Sequence, residues 1–526
     1  MLVCQLKCSG VLFCDVRERA AAQDVPPPLF LFLPPLLTFP VSMKYFAGTI
    51  SASLSRKRLQ LLTVSVAMVS AAALSLSLSL SLSLQLQTFS LKFPKRKIEV
   101  LKKKKKKLKN RIRKRERERE RERRARERES MKTTSELETE ALRSKVKDLR
   151  KACPSPPDAN TFRDSFRSTD EVESHVRFLV SGLRQLNSGF VTLDASRAWL
   201  LYWILHGLSL LGVEYDGKSG HLTAKAFVAS EGLASLLKRA PRKQACLDFI
   251  ESCQNPSGGF GGGPQQLSHI ATTYASVAAL FIVGGKDALR EVADREKTKV
   301  FLQRLQVQQS EYGGSEYGGS FRVHIGGEVD MRACYLAMAV CRFLELNPAE
   351  FLDLSGMVEY IKRCQTYEGG FGGEPGNEAH GGYSYCGFAA LALVGMEDQV
   401  DLFQLLDWAS SRQQTYEGGF NGRTNKLTDS CYSFWQGALL CLLERSLSKG
   451  KEERKEENSS DEKCGNPFKK DALRNWILVC CQLVEGGFRD KPGVRPDYYH
   501  TCYALSGLYL THNANVNVLL CNVRNL

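Results

Sequence analysis

The chain has 526 residues, 43% hydrophobic and 25% charged, so it holds enough apolar material for a large core and is neither collagenous nor wholly disordered. Its formal net charge of +16 belongs to one end: residues 1–130 hold 29 of the 73 Lys/Arg and 10 of the 57 Asp/Glu, a balance of +19 against −3 for the remaining 396 residues. The globular part therefore offers phosphates no net positive field, and the charge excludes a nucleic-acid function.

In chain order, Ser and Leu alternate through most of residues 75–86, six lysines fill 102–107, and Arg and Glu alternate over 115–122. All three tracts resemble translated repeat DNA. Ser at every second position also argues against a membrane span of about 20 apolar residues. Residues 1–130 are set aside as a low-complexity basic extension, expected to be non-native or disordered, and no stable membrane insertion is expected. Residues 131–526 are read as the folded protein, since 40 of the 42 glycines follow Met131. The 17 cysteines lie mostly in apolar helical runs such as ILVCC and YLAMAVC, which points to a reducing, cytoplasmic compartment.

After Met131 one pattern recurs: CQNPSGGFGGG at Cys253, EYGGSF ending at Phe321, CQTYEGGFGG at Cys364, RQQTYEGGFNG at Arg412 and CCQLVEGGFRD at Cys480. The basic step is near 50 residues, stretched once by a doubled EYGGS and once by a charged loop insertion at 449–470. Before each string lies an amphipathic helix such as SGMVEYIKRCQ. After it comes a helix apolar nearly all round, such as GYSYCGFAALALV. A sixth pair, EVESHVRFLVSGL and SRAWLLYWILHGLSLLG, precedes them without the glycine string. Six hairpins with one polar and one buried helix each predict an all-α fold, a ring with the apolar helices inside; an open solenoid is the alternative. A closed ring leaves a central cavity, with Trp199, Trp203, Tyr335, Tyr385, Trp435 and Tyr503 on its wall, suited to a long apolar ligand. Plain core filler is the other reading of each of these rings.

Polar groups gather in the loops where the inner helices start. Asp429 and Cys431 stand two apart in NKLTDSCYSFW, and His500 lies in RPDYYHTCY. Carboxylate, thiolate and imidazole together are the donors of a catalytic zinc site with one open position, although a D-x-C pair or a lone helix-start His is also common filler. Arg423, Lys426, His380 and Tyr432 suit a polyanionic leaving group such as diphosphate, and Asp490 offers a carboxylate for magnesium; a solvated loop surface is the alternative.

The strings GGFGGGP, HIGGEVDMR, YEGGF, EAHGGYSYCG, GRTNKLTDSCYSFWQG and DKPGVRPDYYHTCYALSGL resemble the beta subunits of the protein farnesyltransferase family, in order, from about Thr169 to about Leu510. The resemblance implies an α/α toroid of prenyltransferase type, an alpha-subunit partner, and transfer of farnesyl from farnesyl diphosphate to the cysteine of a C-terminal CaaX motif. It also implies zinc on Asp429, Cys431 and His500, and diphosphate contacts from His380, Arg423, Lys426 and Tyr432. Arg332 would lie near the peptide carboxylate, and Trp199, Trp203, Tyr383, Cys386 and Tyr499 would touch lipid or peptide. The beta subunit of geranylgeranyltransferase type I and a non-catalytic helical scaffold are the rival readings. Residues 216–240 look longer than the family's spacing, and an inner helix near Leu510 without a closing segment is expected to expose apolar surface.

Overall fold

The glycine strings turn the chain in the same way each time. An isolated antiparallel bridge joins the Gln that ends each outer helix to the Phe of its string: Gln254 to Phe260, Gln306 to Phe321, Gln365 to Phe371, Gln413 to Phe420 and Gln482 to Phe488. All five phenylalanines are fully buried. The structure is a computed structural model and describes residues 133–153, 156, 161–308, 316–453, 467–512 and 517–520, with Lys114 and Glu118. The rest of the 1–130 extension, the first half of the doubled EYGGS and residues 454–466 of the charged insertion lie outside the described residues.

In chain order, α1 (Thr134–Ala152) precedes the pair α2 (Thr169–Arg184) and α3 (Arg197–Leu210). The antiparallel hairpin β1 (Val213–Tyr215) and β2 (Leu222–Ala224) follows, with Val213 opposite Ala224, and then α4 (Glu231–Lys238). Five more pairs complete the sequence. They are α5 (Lys243–Ser252) with α6 (Ile270–Val292), α7 (Arg295–Leu305) with α8 (Met331–Phe343), α9 (Leu354–Arg363) with α10 (Gly381–Val394), α11 (Leu402–Ser410) with α12 (Tyr432–Glu453), and α13 (Lys470–Asn475) with α14 (Tyr498–Leu510). The hairpin and α4 occupy most of the stretch that looks long for the family, so among the described residues the helical fold carries one small sheet. No described helix is long and apolar enough to cross a membrane.

The second helix of every pair lies inside. Each packs on the next, α3 on α6, then α8, α10, α12 and α14, and α14 packs back on α3. That last contact makes the structure a closed ring and removes the open solenoid. The outer layer closes as well. A Cβ on Gly369 would meet Gln404 O of α11 at 2.3 Å and one on Gly418 would meet Ala472 O of α13 at 2.5 Å; one on Gly486, in the last string, would meet Ser174 O of α2 at 2.2 Å. Only glycine permits so close an approach, and the positive φ of +102° at Gly486 adds a second reason.

The bridging glutamines reach on to the following outer helix. Gln254, Gln306, Gln365 and Gln413 each accept through Oε1 from the backbone N of Asp294, Asp353, Asp401 and Lys469, at 2.8–3.0 Å. At the seam, Gln482 instead meets His175 Nε2 of α2 at 3.1 Å. The expected apolar exposure at the end of α14 is not found: Leu508 and Leu510 are buried, and Tyr509 packs on Phe162 with ring centroids 5.0 Å apart. The segment ahead of α2 therefore covers that face.

Candidate functional site

Every inner helix follows an outer one, so the inner-helix starts share one end of the ring. A helix start leaves backbone N–H groups needing acceptors, and this chain supplies them from titratable side chains. His269 caps α6, Asp330 caps α8, His380 caps α10 and Asp497 caps α14. Asp429 Oδ1 accepts from Cys431 N at 2.9 Å just before α12. Capping thus plants carboxylates and imidazoles around one rim.

On that rim one ligand atom each of Asp429, Cys431 and His500 lies within 4.8 Å of the others. His500 Nε2 is 3.3 Å from Asp429 Oδ1 yet buried without a hydrogen-bond partner, while Nδ1 pairs with Asp497 Oδ2 at 2.8 Å. Burial alone would lower the His500 pKa, but the carboxylates of Asp429 and Asp497 hold it well above the usual imidazole range. The loops are pinned together by Ser430, whose N donates to Asp490 O at 2.9 Å and whose Oγ donates to Arg489 O at 2.8 Å. Asp490 is buried; Oδ2 pairs with Lys491 Nζ at 2.5 Å and Oδ1 has no hydrogen-bond partner. Burial, and then the neighbouring Asp429 charge, push its carboxyl up to about 7. The orphaned Nε2, the nearby carboxylate and the thiol fit a tetrahedral zinc ion with one open position, and the Asp497 to Nδ1 contact is the usual orienting partner of a ligating histidine.

His380 Nε2 is 2.9 Å from the Tyr432 hydroxyl. Arg423 Nη1 pairs with Glu378 Oε2 at 3.0 Å on a partly exposed loop. Lys426 is exposed and lines a polar cavity of about 600 Å³ with Arg143, Arg412 and Glu417, against α1. On the far side, Arg332 is buried against Asp330, its Nε donating to Oδ2 at 2.9 Å, and its guanidinium lies 6.0 Å from the Tyr383 ring centre. Burial pushes the Tyr383 phenol up to about 12 and raises the Cys386 thiol further still.

The aromatic side chains close on themselves. From Trp199 the rings run to Trp203 at 5.6 Å, Tyr499 at 5.3 Å, Tyr503 at 4.9 Å and Trp435 at 4.4 Å. They continue through Tyr385 at 5.3 Å, Tyr335 at 5.3 Å and Tyr274 at 5.8 Å, and return to Trp199 at 5.7 Å. Each of the six cavity residues named from sequence is in this circle, with Tyr499 from the resemblance. Tyr274 was missed, as were Lys491 and Asp497. The signal for Tyr274 was present, because it is the fifth residue of its helix, as Tyr335 and Tyr385 are of theirs.

Residues 171–523 match the family model of the prenyltransferase alpha-alpha toroid domain. The chain belongs to that family. This prenyltransferase toroid is 36% identical over 388 residues to the protein farnesyltransferase subunit beta of Arabidopsis thaliana, covering 65% of this chain and 73% of that protein. It is 29% identical over 366 residues to the geranylgeranyl transferase type-1 subunit beta of the same plant, covering 66% of this chain and 87% of that one. Among solved structures, the fold is shared with Candida albicans protein geranylgeranyltransferase-I complexed with GGPP, at TM-score 0.51 and 22% identity, over 66% of this chain and 94% of that chain.

Proposed function

We propose that this prenyltransferase toroid is the catalytic beta subunit of a zinc-dependent protein farnesyltransferase, working in the cytoplasm with an alpha subunit and transferring farnesyl to the cysteine of CaaX-terminated proteins. The observation that carries the reading is the convergence of Asp429, Cys431 and His500 at the mouth of a ring of eight aromatic side chains. The higher identity to a farnesyltransferase beta subunit than to the geranylgeranyl relative supports the choice of donor. Free cysteines among the described residues agree with a reducing compartment.

Zinc held by Asp429, Cys431 and His500 would keep the acceptor cysteine as a thiolate near neutral pH. In the reaction a bond forms between that sulfur and C1 of the isoprenoid, the C1–O bond breaks, and diphosphate leaves with the electron pair while the thiol proton passes to solvent. His380, Tyr432, Arg423 and Lys426 are the donors for the departing diphosphate, and they act on charge that grows in the transition state. Asp490 Oδ1, buried without a partner, would hold a magnesium ion, which would supply positive charge for the leaving diphosphate. Arg332 faces the peptide's C-terminal carboxylate. Trp199, Trp203, Trp435, Tyr503 and their neighbours exclude water from the lipid, and Tyr499, whose ring lies 4.9 Å from the His500 imidazole, is the aromatic face beside C1.

The test is co-expression of the full chain with a prenyltransferase alpha subunit, followed by competition between farnesyl and geranylgeranyl diphosphate for a CaaX peptide, with and without magnesium. Preferred transfer of farnesyl, aided by magnesium, is expected. Preference for geranylgeranyl overturns the choice of donor. A purified heterodimer without zinc and without transfer makes the chain a scaffold.

A further inference from the structure

Three rings of the aromatic circle share more than their helix position. The phenols of Tyr385, Tyr335 and Tyr274, on successive inner helices, donate to successive carbonyls of one short turn: Val518 O at 2.7 Å, Leu519 O at 3.0 Å and Leu520 O at 3.0 Å. The turn is closed by Leu520 N donating to Asn517 O at 3.2 Å. Leu520 is only 1% exposed and belongs to the core, and Val518 and Leu519 pack against it.

We infer that residues 517–520 are a built-in occupant of the prenyl cavity, an autoinhibitory plug that must withdraw before the isoprenoid enters. The inference rests on reading the aromatic circle as the lipid site. Two features carry it. Phenols from three inner helices meet three successive carbonyls, with Tyr385 also 3.4 Å from Leu519 O, a register that incidental packing of an apolar tail does not require. The plug also presents to the wall what an isoprenoid presents, branched hydrocarbon, and adds acceptors that a hydrocarbon chain lacks, so plug and lipid compete for one surface.

Withdrawal does not require the ring to open. Six Cα steps lead from the Thr511 cap of α14 to Asn517, a tether of up to about 20 Å when extended, so the turn can leave while α14 stays packed. Lipid and plug then exclude each other, and the apparent lipid affinity is reduced by the fraction of molecules whose cavity is open.

The experiment compares three heterodimers: the full chain, Leu520→Asp, and a chain ended after His512. A carboxylate at 520 cannot be desolvated in the apolar circle and expels the turn, and the shortened chain lacks it altogether. Binding of farnesyl diphosphate is read from quenching of tryptophan fluorescence, with unfolding midpoints to confirm intact folds. A plug docked in nine molecules of ten weakens apparent binding about tenfold, so both variants should bind about tenfold more tightly than the full chain. Equal affinity in all three overturns the plug. Binding in none of them overturns it together with the proposed function. Tighter binding by both variants with no transfer to a CaaX peptide supports the plug and overturns the proposed function alone.

Discussion

His500 shows how one residue is set for ligation by its neighbours. Its backbone N donates to Asp497 Oδ1 at 2.8 Å, as helix capping requires, and its Nδ1 faces the other oxygen of the same carboxylate. One side chain thus fixes both where the helix starts and which ring nitrogen faces Asp429. Asp497→Asn keeps the cap but weakens the orienting contact, and zinc affinity of the heterodimer should fall about 10- to 100-fold in a chelator competition. Cys431→Ala removes the soft donor and should abolish stoichiometric zinc by elemental analysis. Retention of full zinc by Cys431→Ala would mean that another set of ligands holds the metal. Trp199→Thr tests the other end of the site: the circle opens beside Tyr274, and preference should move toward geranylgeranyl diphosphate with zinc content unchanged. An unmoved preference would place the length determinant elsewhere. The convergence of Asp429, Cys431 and His500 was legible in the sequence because these donors stand at equivalent loop positions after two adjacent glycine strings. Lys491 was not, because a lysine beside an aspartate usually marks a solvated pair, whereas here Asp490 is buried and draws the ammonium in. Asp497 was hidden by its capping role.

At the scale of elements, the repeats are held by main chain meeting main chain through glutamine and glycine. Gln365 Nε2 donates to Gly369 O at 3.1 Å and Asp401 O at 3.0 Å, and Oε1 accepts from Asp401 N at 3.0 Å, so one side chain joins the end of α9, its turn and the start of α11. Gln365→Ala strands these groups and should destabilise the heterodimer by about 1–3 kcal/mol, read from denaturant midpoints. Gly418→Ala should cost more than Gly395→Ala although both have positive φ: the first Cβ would meet Ala472 O at 2.5 Å, the second nothing within 4 Å. Equal losses would mean that backbone strain alone, about 1–2 kcal/mol, explains both. The helix pairs were legible from the period of their apolar residues. The hairpin β1–β2 was not, since three-residue strands are too short to show alternation, and the glycines of DGKSG suggest only a loop.

At the scale of the whole molecule, each repeat reads alike in an open and a closed array, because closure depends on how much each hairpin rotates on the last. What distinguishes them is the seam, where the last glycine string meets α2 and His175 replaces a backbone partner. Gly487 N donates to His175 Nδ1 at 2.9 Å, which leaves the ring proton on Nε2 beside Gln482, and the imidazole stacks on Phe488 at 4.6 Å. Burial pushes the His175 pKa down to about 3, so the seam requires the neutral ring. The sign follows from linkage: the folded pKa is below the unfolded value of about 6.5, so this stability is complete above that pH and is lost as pH falls toward 3. At pH 5 the loss from His175 alone is roughly 2 kcal/mol. His206, buried between α3 and α14 with its pKa also held near 3, adds a parallel loss and serves as the internal control. His175→Gln should lower stability at pH 7 by disturbing the seam. It should also flatten the fall between pH 7 and pH 5 by about 2 kcal/mol relative to wild type, because Gln takes up no proton. Denaturant unfolding of the heterodimer at the two pH values makes the comparison. Parallel losses in wild type and variant would mean that the seam tolerates a charged His175, and that acid sensitivity arises elsewhere in the ring.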